Sequence, residues 1–482
     1  MKKYFLLPLM AMGLLTFNAC GDDEPEKNVE NVDGSGTGTG TTDNDKVPGG
    51  NDNSGNGTGD ISNNALPASE QQAKLQSIGQ EALSCVSAKD FQYWKDLAKH
   101  LNREYLDNDD MDNDAIEEFF EDFVESSHLG SNTKTEEGYW TYIYEYDDYR
   151  QLVKLSKLKA RFVAGSKKWT KENADHLEFV VKDQNGSQVE LCLSTSGNTK
   201  TVHVIDEEHW RDYDYDSDSK VETEYIDRDR YYVTIPENIT VSVKVGGSER
   251  MKTTVGIKLD GIQNEIADLS KTICDASATV TLDSYVFKTT NTKYVPNNTL
   301  QTVFSMAKDG KSILTVEFNV GDFKLSNISG DVADKDTWET IGEDSEITNG
   351  KASFRLNLLG KLQINGVVSN IQSFIEAMKD ADKYNEESET KFKQCIDRIN
   401  NTATVGVYYD GKPEKQAEFL FKAFEQKSWN GTYWDAEPVL AFADGSSYSL
   451  LEESDFFNES SFKKLIDQLE NLCEDFDALF DF

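Results

Sequence analysis

Asp110, Asp112, Asp114 and Glu121, in the run "DMDNDAIEEFFE", stand at positions 1, 3, 5 and 12 of a twelve-residue loop in which carboxylates wrap calcium between two helices. Position 6, where the sharp turn requires glycine, is Ala115, and Glu117 takes the usually apolar position 8. The plainer reading is a helix capped by Asp114, whose acidic first turn the helix dipole favours. No cofactor is expected unless this loop takes Ca2+. "DYDYDSDSK" (Asp212 to Lys220) has the acids but lacks a ligand at position 12. "HVIDEEH" (His203 to His209) is the one local mixture of histidine with acids. On a strand, His203 points away from Val202 and Val204, so it is expected at the surface.

Nucleophilic and phosphate chemistry find no footing. H-E-x-x-H, G-x-S-x-G and the Walker loop are absent, and with 87 Asp and Glu, close carboxylate pairs are inevitable and carry no argument. The chain is expected not to be an enzyme. Binding has better candidates. In "YWTYIYEYDDY" (Tyr139 to Tyr149), a strand sets Trp140, Tyr142, Tyr144 and Tyr146 on one face over about 20 Å. Exposed, such a row stacks on sugar rings; buried, it is ordinary core. Trp429, Tyr433 and Trp434 in "WNGTYW" carry the same two readings. A curled sheet could also enclose an apolar groove for an acyl chain, which the alternating strands permit without requiring.

Helices and strands that would position these residues can be read from periodicity. Leu75, Ile78, Ala82 and Val86 after a Ser69/Gln72 capping box, then Phe91, Trp94, Ala98, Leu101 and Tyr105, then Ile116, Phe119, Phe120, Phe123 and Val124 draw three amphipathic helices. From about Tyr139 the period becomes two. Leu177, Phe179 and Val181, the turn "KDQNG", and Val189, Leu191 and Leu193 make a hairpin. Leu314 to Val320 and Ala352 to Ile364 alternate likewise, the mark of antiparallel sheet with one wet face. Ile262, Ile266, Leu269 and Ile273 predict a helix inserted after a strand, and Ile371, Phe374, Ile375 and Met378 a second, suggesting a duplicated unit. A last stripe, Phe462 to Phe480, closes the chain as a helix.

The amino terminus gives an address. Lys2 and Lys3 precede an apolar run, Tyr4 to Phe17, too short to cross a bilayer, and Ala19 stands directly before Cys20. This resembles the lipobox of bacterial lipoproteins, although Phe17 and Asn18 are not its commonest residues. The resemblance implies cleavage before Cys20 and lipidation of its thiol. "CGDDEPE" further resembles the acidic export signal of surface lipoproteins of the Bacteroidota, which implies the outer leaflet of the outer membrane. "LPASEQQAKLQSIGQEAL" (Leu66 to Leu83) is similar to the start of the folded part in gut Bacteroidota lipoproteins and brings no activity with it.

Between anchor and folded part, residues 21–66 are dominated by Gly, Ser, Thr, Asn and Asp and hold no aromatic, a tether with an end-to-end distance on the order of 40 Å. The net charge of −38, more negative once Lys2 and Lys3 leave, repels nucleic acid and anionic bilayer surfaces. Cys85, Cys192, Cys274, Cys395 and Cys473 show no metal-type spacing and read most simply as small buried hydrophobes; an exported protein also allows one disulfide among them, whose pair the sequence does not pick. The fold expected is α+β: antiparallel sheet with amphipathic helices packed on one face. It divides into a signal peptide (1–19), lipidated tether (20–66), helical segment (67–130), β-rich region with an inserted helix (131–365), and a helix, β-hairpins and C-terminal helix (366–482). The expected partners are the membrane, through the lipid, and an extracellular glycan or an envelope protein. The role expected is non-catalytic, glycan binding foremost, with lipid binding or a structural part as alternatives.

Overall fold

The computed structural model describes residues 60–480 apart from 107, 109, 128–131, 138–140, 217–220, 327, 334–345, 429–430, 451–455 and 457–458. Cys20, Trp140 and Trp429 lie outside the described residues, as do the signal peptide and nearly all of the tether. The three amino-terminal helices form where periodicity puts them: α1 (Ala68–Ser84), α2 (Gln92–Leu101) and α3 (Asp114–Glu125). The Ser69/Gln72 box does not. Pro67 precedes the first turn and has no side chain to cap it, and Gln72 Nε2 donates instead to the Phe456 carbonyl.

Beyond α3 one large sheet dominates, so the molecule is α+β. Its first strands are β1 (Asn132–Glu137), β2 (Thr141–Lys154), β3 (Ala160–Ala164) and β4 (Trp169–Glu172). Then come β5 (Leu177–Lys182), β6 (Gln188–Asp216), β7 (Val221–Val245), β8 (Ser248–Asp260), β9 (Ile273–Leu282), β10 (Tyr285–Val295), β11 (Thr299–Lys308) and β12 (Lys311–Leu325). β13 (Ile347–Leu358) and β14 (Leu362–Val368) precede a helix pair, α4 (Ile371–Tyr384) and α5 (Glu389–Thr402). β15 (Ala403–Tyr409), β16 (Ala417–Ser428), β17 (Gly431–Phe442), β18 (Ser447–Ser449) and α6 (Glu459–Phe480) complete the chain.

From β5 to β18 every strand pairs antiparallel with the next, a continuous meander. Tight turns make this possible; Asp309 and Gly310, both at positive φ (50° and 74°), close β11 onto β12 in the conformation that matches strand twist. β3 and β2 add parallel pairings, to β5 and to the outer part of β7. The register stacks apolar residues across strands: Leu314, Val316, Phe318 and Val320 stand opposite Leu358, Leu356, Phe354 and Ala352.

Helices and sheet share several cores. Leu97, Met111 and Ile116 pack with Phe162, Trp169 and Phe179; Ala68 and Ile78 with Leu362, Val407 and Leu440; Phe91 with Tyr285. α4 and α5 close on each other through Ala377, Phe392 and Ile396, and on Ala423 and Ala436. Arg250 ties α2 down: it lies 4.0 Å from the Tyr93 ring centre and grips Asp283 with two hydrogen bonds of 2.7 Å.

Two expectations are corrected. Residues 261–272 form no helix. Gly261, Asn264 and Glu265 all have positive φ, and a Cβ on Gly261 would lie 2.3 Å from the Lys271 carbonyl oxygen, so the segment folds back as a compact loop. With it falls the duplicated strand–helix unit and the helix inserted in 131–365. Second, the segment after β14 holds two helices where the sequence suggested one. Among the described residues no helix is long and apolar enough to cross a membrane.

Candidate functional site

The loop at 261–272 roofs a cavity of about 310 Å³. Its floor is one end of the sheet: Val202, His203 and Val204 from β6, Ile235 from β7, and Leu259, Cys274 and Tyr294 from β8, β9 and β10. Leu259 and Cys274 are cross-strand partners, as are Cys274 and Tyr294, so period-two alternation alone lines these three up. Ala267, Leu269 and Thr272 of the loop, with Val332, form the roof.

The roof is held by polar contacts at its rim. Val332 N–H donates to the Ala267 carbonyl (3.1 Å), and the Tyr294 hydroxyl donates to the Leu269 carbonyl (2.7 Å). Asp268 organises the loop. Burial alone would raise its pKa, but hydrogen bonds from Lys271 Nζ (2.5 Å), the Ser270 hydroxyl (2.6 Å) and N–H (2.8 Å), and the Gly330 N–H hold it down at about 2. A depressed carboxylate stabilises the fold fully above its ordinary 3.8 and ceases to as pH falls through about 2. Asp268→Asn is therefore expected to lower stability at neutral pH and flatten the loss between about pH 4 and 2, read by urea titration across that range.

His203 is 5% exposed, contrary to the surface position expected from alternation. The loop at 261–272 covers it: the backbone N–H of His203 donates to the Glu265 carbonyl (2.8 Å), and a bulge follows between His203 and Ile205. Its ring stacks on Tyr232 at 4.9 Å, and Nδ1 lies 2.7 Å from Asp331 Oδ2. With a carboxylate as partner, Nδ1 carries the proton. Nε2 is then left as an acceptor in the neutral ring and a donor in the protonated one. It is buried without a partner, and so is Thr272 Oγ1 in the same cavity. Both residues line the cavity, and the polar end of a bound molecule can satisfy the two atoms once side-chain rotation brings them to its surface.

Residues singled out by sequence fare differently. Asp110, Asp112, Asp114 and Glu121 are all exposed. α3 begins at Asp114, so Glu121 stands about 10 Å further along the helix axis. Asp112 Oδ1 accepts from the Asp114 N–H (3.1 Å), as a residue before a first turn does, and the calcium-loop conformation is not adopted. Tyr142, Tyr144 and Tyr146 lie on β2, between β1 and β7. Tyr433 and Trp434 are neighbours on β17 and so face opposite sides. Trp434 packs on the α4–α5 core with Lys393 Nζ 4.6 Å from its ring centre, which leaves no shared platform with Tyr433. The five described cysteines are free thiols, only Cys395 being fully buried. The sequence allows an apolar groove without placing it: the alternation of Leu259, Cys274 and Tyr294 marks an apolar face, but nothing local pairs His203 with Asp331.

Compared with protein-family models, curated proteins and solved structures, the chain finds no match.

Proposed function

We propose that the chain is a lipid-anchored protein of the outer-membrane surface. Its folded part binds, without catalysis, a molecule with a long apolar body and a hydroxyl or carboxyl end, such as a fatty acid. The observation that carries the reading is that His203 Nε2 and Thr272 Oγ1, both buried without a partner, belong to residues that line one apolar cavity. Each unsatisfied group costs about 1–3 kcal/mol, a cost that a ligand's polar end removes. The cavity volume, about 310 Å³, is at the lower end of small-molecule sites.

In this reading the helices gather on one face of the sheet, the face on which the cavity opens. Register supports it: Phe179, Leu191, Val243, Met251, Leu282 and Tyr285 are successive cross-strand partners, the first packed on Leu97 of α2 and the last on Phe91. Leu259 shares the pleat of Met251 on β8. The lipobox-like Cys20, the acids after it and the tether support the surface location, with the body free to stand off from the bilayer that supplies such ligands.

Thr272→Val tests the reading in the soluble form that begins after Cys20. The substitution exchanges the hydroxyl for a methyl of the same shape. Stability of the empty protein is expected to rise by about 1 kcal/mol, while affinity for a fluorescent fatty acid falls about 5–10-fold. Thr253, whose buried Oγ1 also lacks a partner but lies outside the cavity, supplies the comparison. Thr253→Val raises stability and leaves binding unchanged. Unaltered affinity in Thr272→Val, or no saturable binding by the unsubstituted chain, removes the proposal.

A further inference from the structure

On the hairpin of β5 and β6, away from the cavity, three donors of different chemistry meet. Glu178 and Cys192 are direct cross-strand partners, and His176, two residues before Glu178, falls on the same side of an extended chain. A ring nitrogen of His176, a carboxylate oxygen of Glu178 and the Cys192 Sγ lie within 4.8 Å of one another. Among the described residues this is the grouping of three such donors. It is no exposed acidic patch: Glu178 is 9% exposed, and His176 and Cys192 are half-buried.

Two of the donors already have a charged neighbour. Asp175 Oδ1 sits 2.6 Å from His176 Nδ1, which leaves Nε2 as the nitrogen open to a metal. Arg161 Nε sits 3.3 Å from Glu178 Oε2, which leaves Oε1, the oxygen 3.8 Å from Cys192 Sγ. Outer partners of this kind fix ligand rotamers and the histidine tautomer in metal sites. Arg161 also offsets the charge of a carboxylate that would otherwise be buried alone.

We propose that His176, Glu178 and Cys192 bind Zn2+, with water at the fourth position. One nitrogen, one oxygen and one sulfur suit a borderline cation that accepts all three in a tetrahedron, and the thiol excludes the oxygen-seeking Ca2+ and Mg2+. Zinc bonds of about 2.0–2.3 Å bring donors to within about 4 Å of one another, a closure that side-chain rotation supplies. Binding here would clamp β5 to β6 beside the core that α2 and α3 cover.

The experiment is a Co2+ titration of the untagged chain beginning after Cys20, freed of metal by a chelator. One equivalent is expected to produce a thiolate-to-cobalt charge-transfer band, bleached by one equivalent of Zn2+. Cys192→Ser abolishes the band, Cys274→Ser keeps it, and His176→Ala and Glu178→Gln each weaken Zn2+ binding at least about 10-fold. Far-ultraviolet circular dichroism of each variant keeps loss of fold apart from loss of metal. No band in the unsubstituted chain, or a band that survives Cys192→Ser, overturns the site.

Discussion

Phe162→Ala is expected to lower the unfolding free energy of the folded part by about 4 kcal/mol. Phe162 has no exposed surface, stacks on Phe179 at 5.3 Å and meets Phe119 of α3 edge-on at 5.4 Å. It sits on β3, which pairs with both β4 and β5. Loss of the ring removes both the transfer free energy and the packing of its neighbours. A denaturant titration should show a lower midpoint with an unchanged slope. Phe318, 40% exposed on β12, gives the contrast: Phe318→Ala costs about 1 kcal/mol or less. Equal losses at the two positions would mean that α2 and α3 do not cover this end of the sheet.

Ala267→Phe is expected to reduce fatty-acid affinity at least about 100-fold while leaving the protein folded. Ala267 is 5% exposed and lines the roof of the cavity. An apolar space of about 150 Å³ accepts benzene, so about 310 Å³ admits the new ring and keeps the ligand out. The same substitution should not lower the melting temperature, because it fills space instead of crowding a packed core. Lost binding together with a raised or equal melting temperature separates occupation of the cavity from damage to the loop. If the variant binds as tightly as the unsubstituted chain, the ligand sits elsewhere.

Much of the architecture was legible from periodicity. Leu314 to Val320 on β12 and Ala352 to Leu358 on β13 alternate because one face of each strand is apolar, and the structure pairs these two strands directly, with Leu362 and Ile364 falling on the next strand, β14. The loop at 261–272 was misread because Ile262, Ile266, Leu269 and Ile273 happen to recur at helical spacing. Tertiary contacts decided otherwise: Asp268 gathers its own turn, and Ala267 pairs with Val332 from far along the chain. His203 is misplaced by alternation because what covers it comes from far along the chain: the Glu265 carbonyl meets its backbone, and Asp331, 128 residues away, meets its ring. Glu178 and Cys192 were within reach. The hairpin register is set by the turn at Lys182 to Gly186, and reading the cysteine across that hairpin would have set it beside the acid. Spacing along the chain, by which the cysteines were judged, conceals such a pair.

The most direct measurement is nuclear magnetic resonance of the histidine imidazoles during a fatty-acid titration. The chain has five histidines, and the spectrum of His203→Leu assigns one signal to the cavity. The account predicts that the Nε2 resonance of His203 shifts in a saturable way, in step with the fluorescence-measured affinity, and that Ala267→Phe abolishes the shift. A ligand that binds while the His203 ring stays unmoved would contradict it.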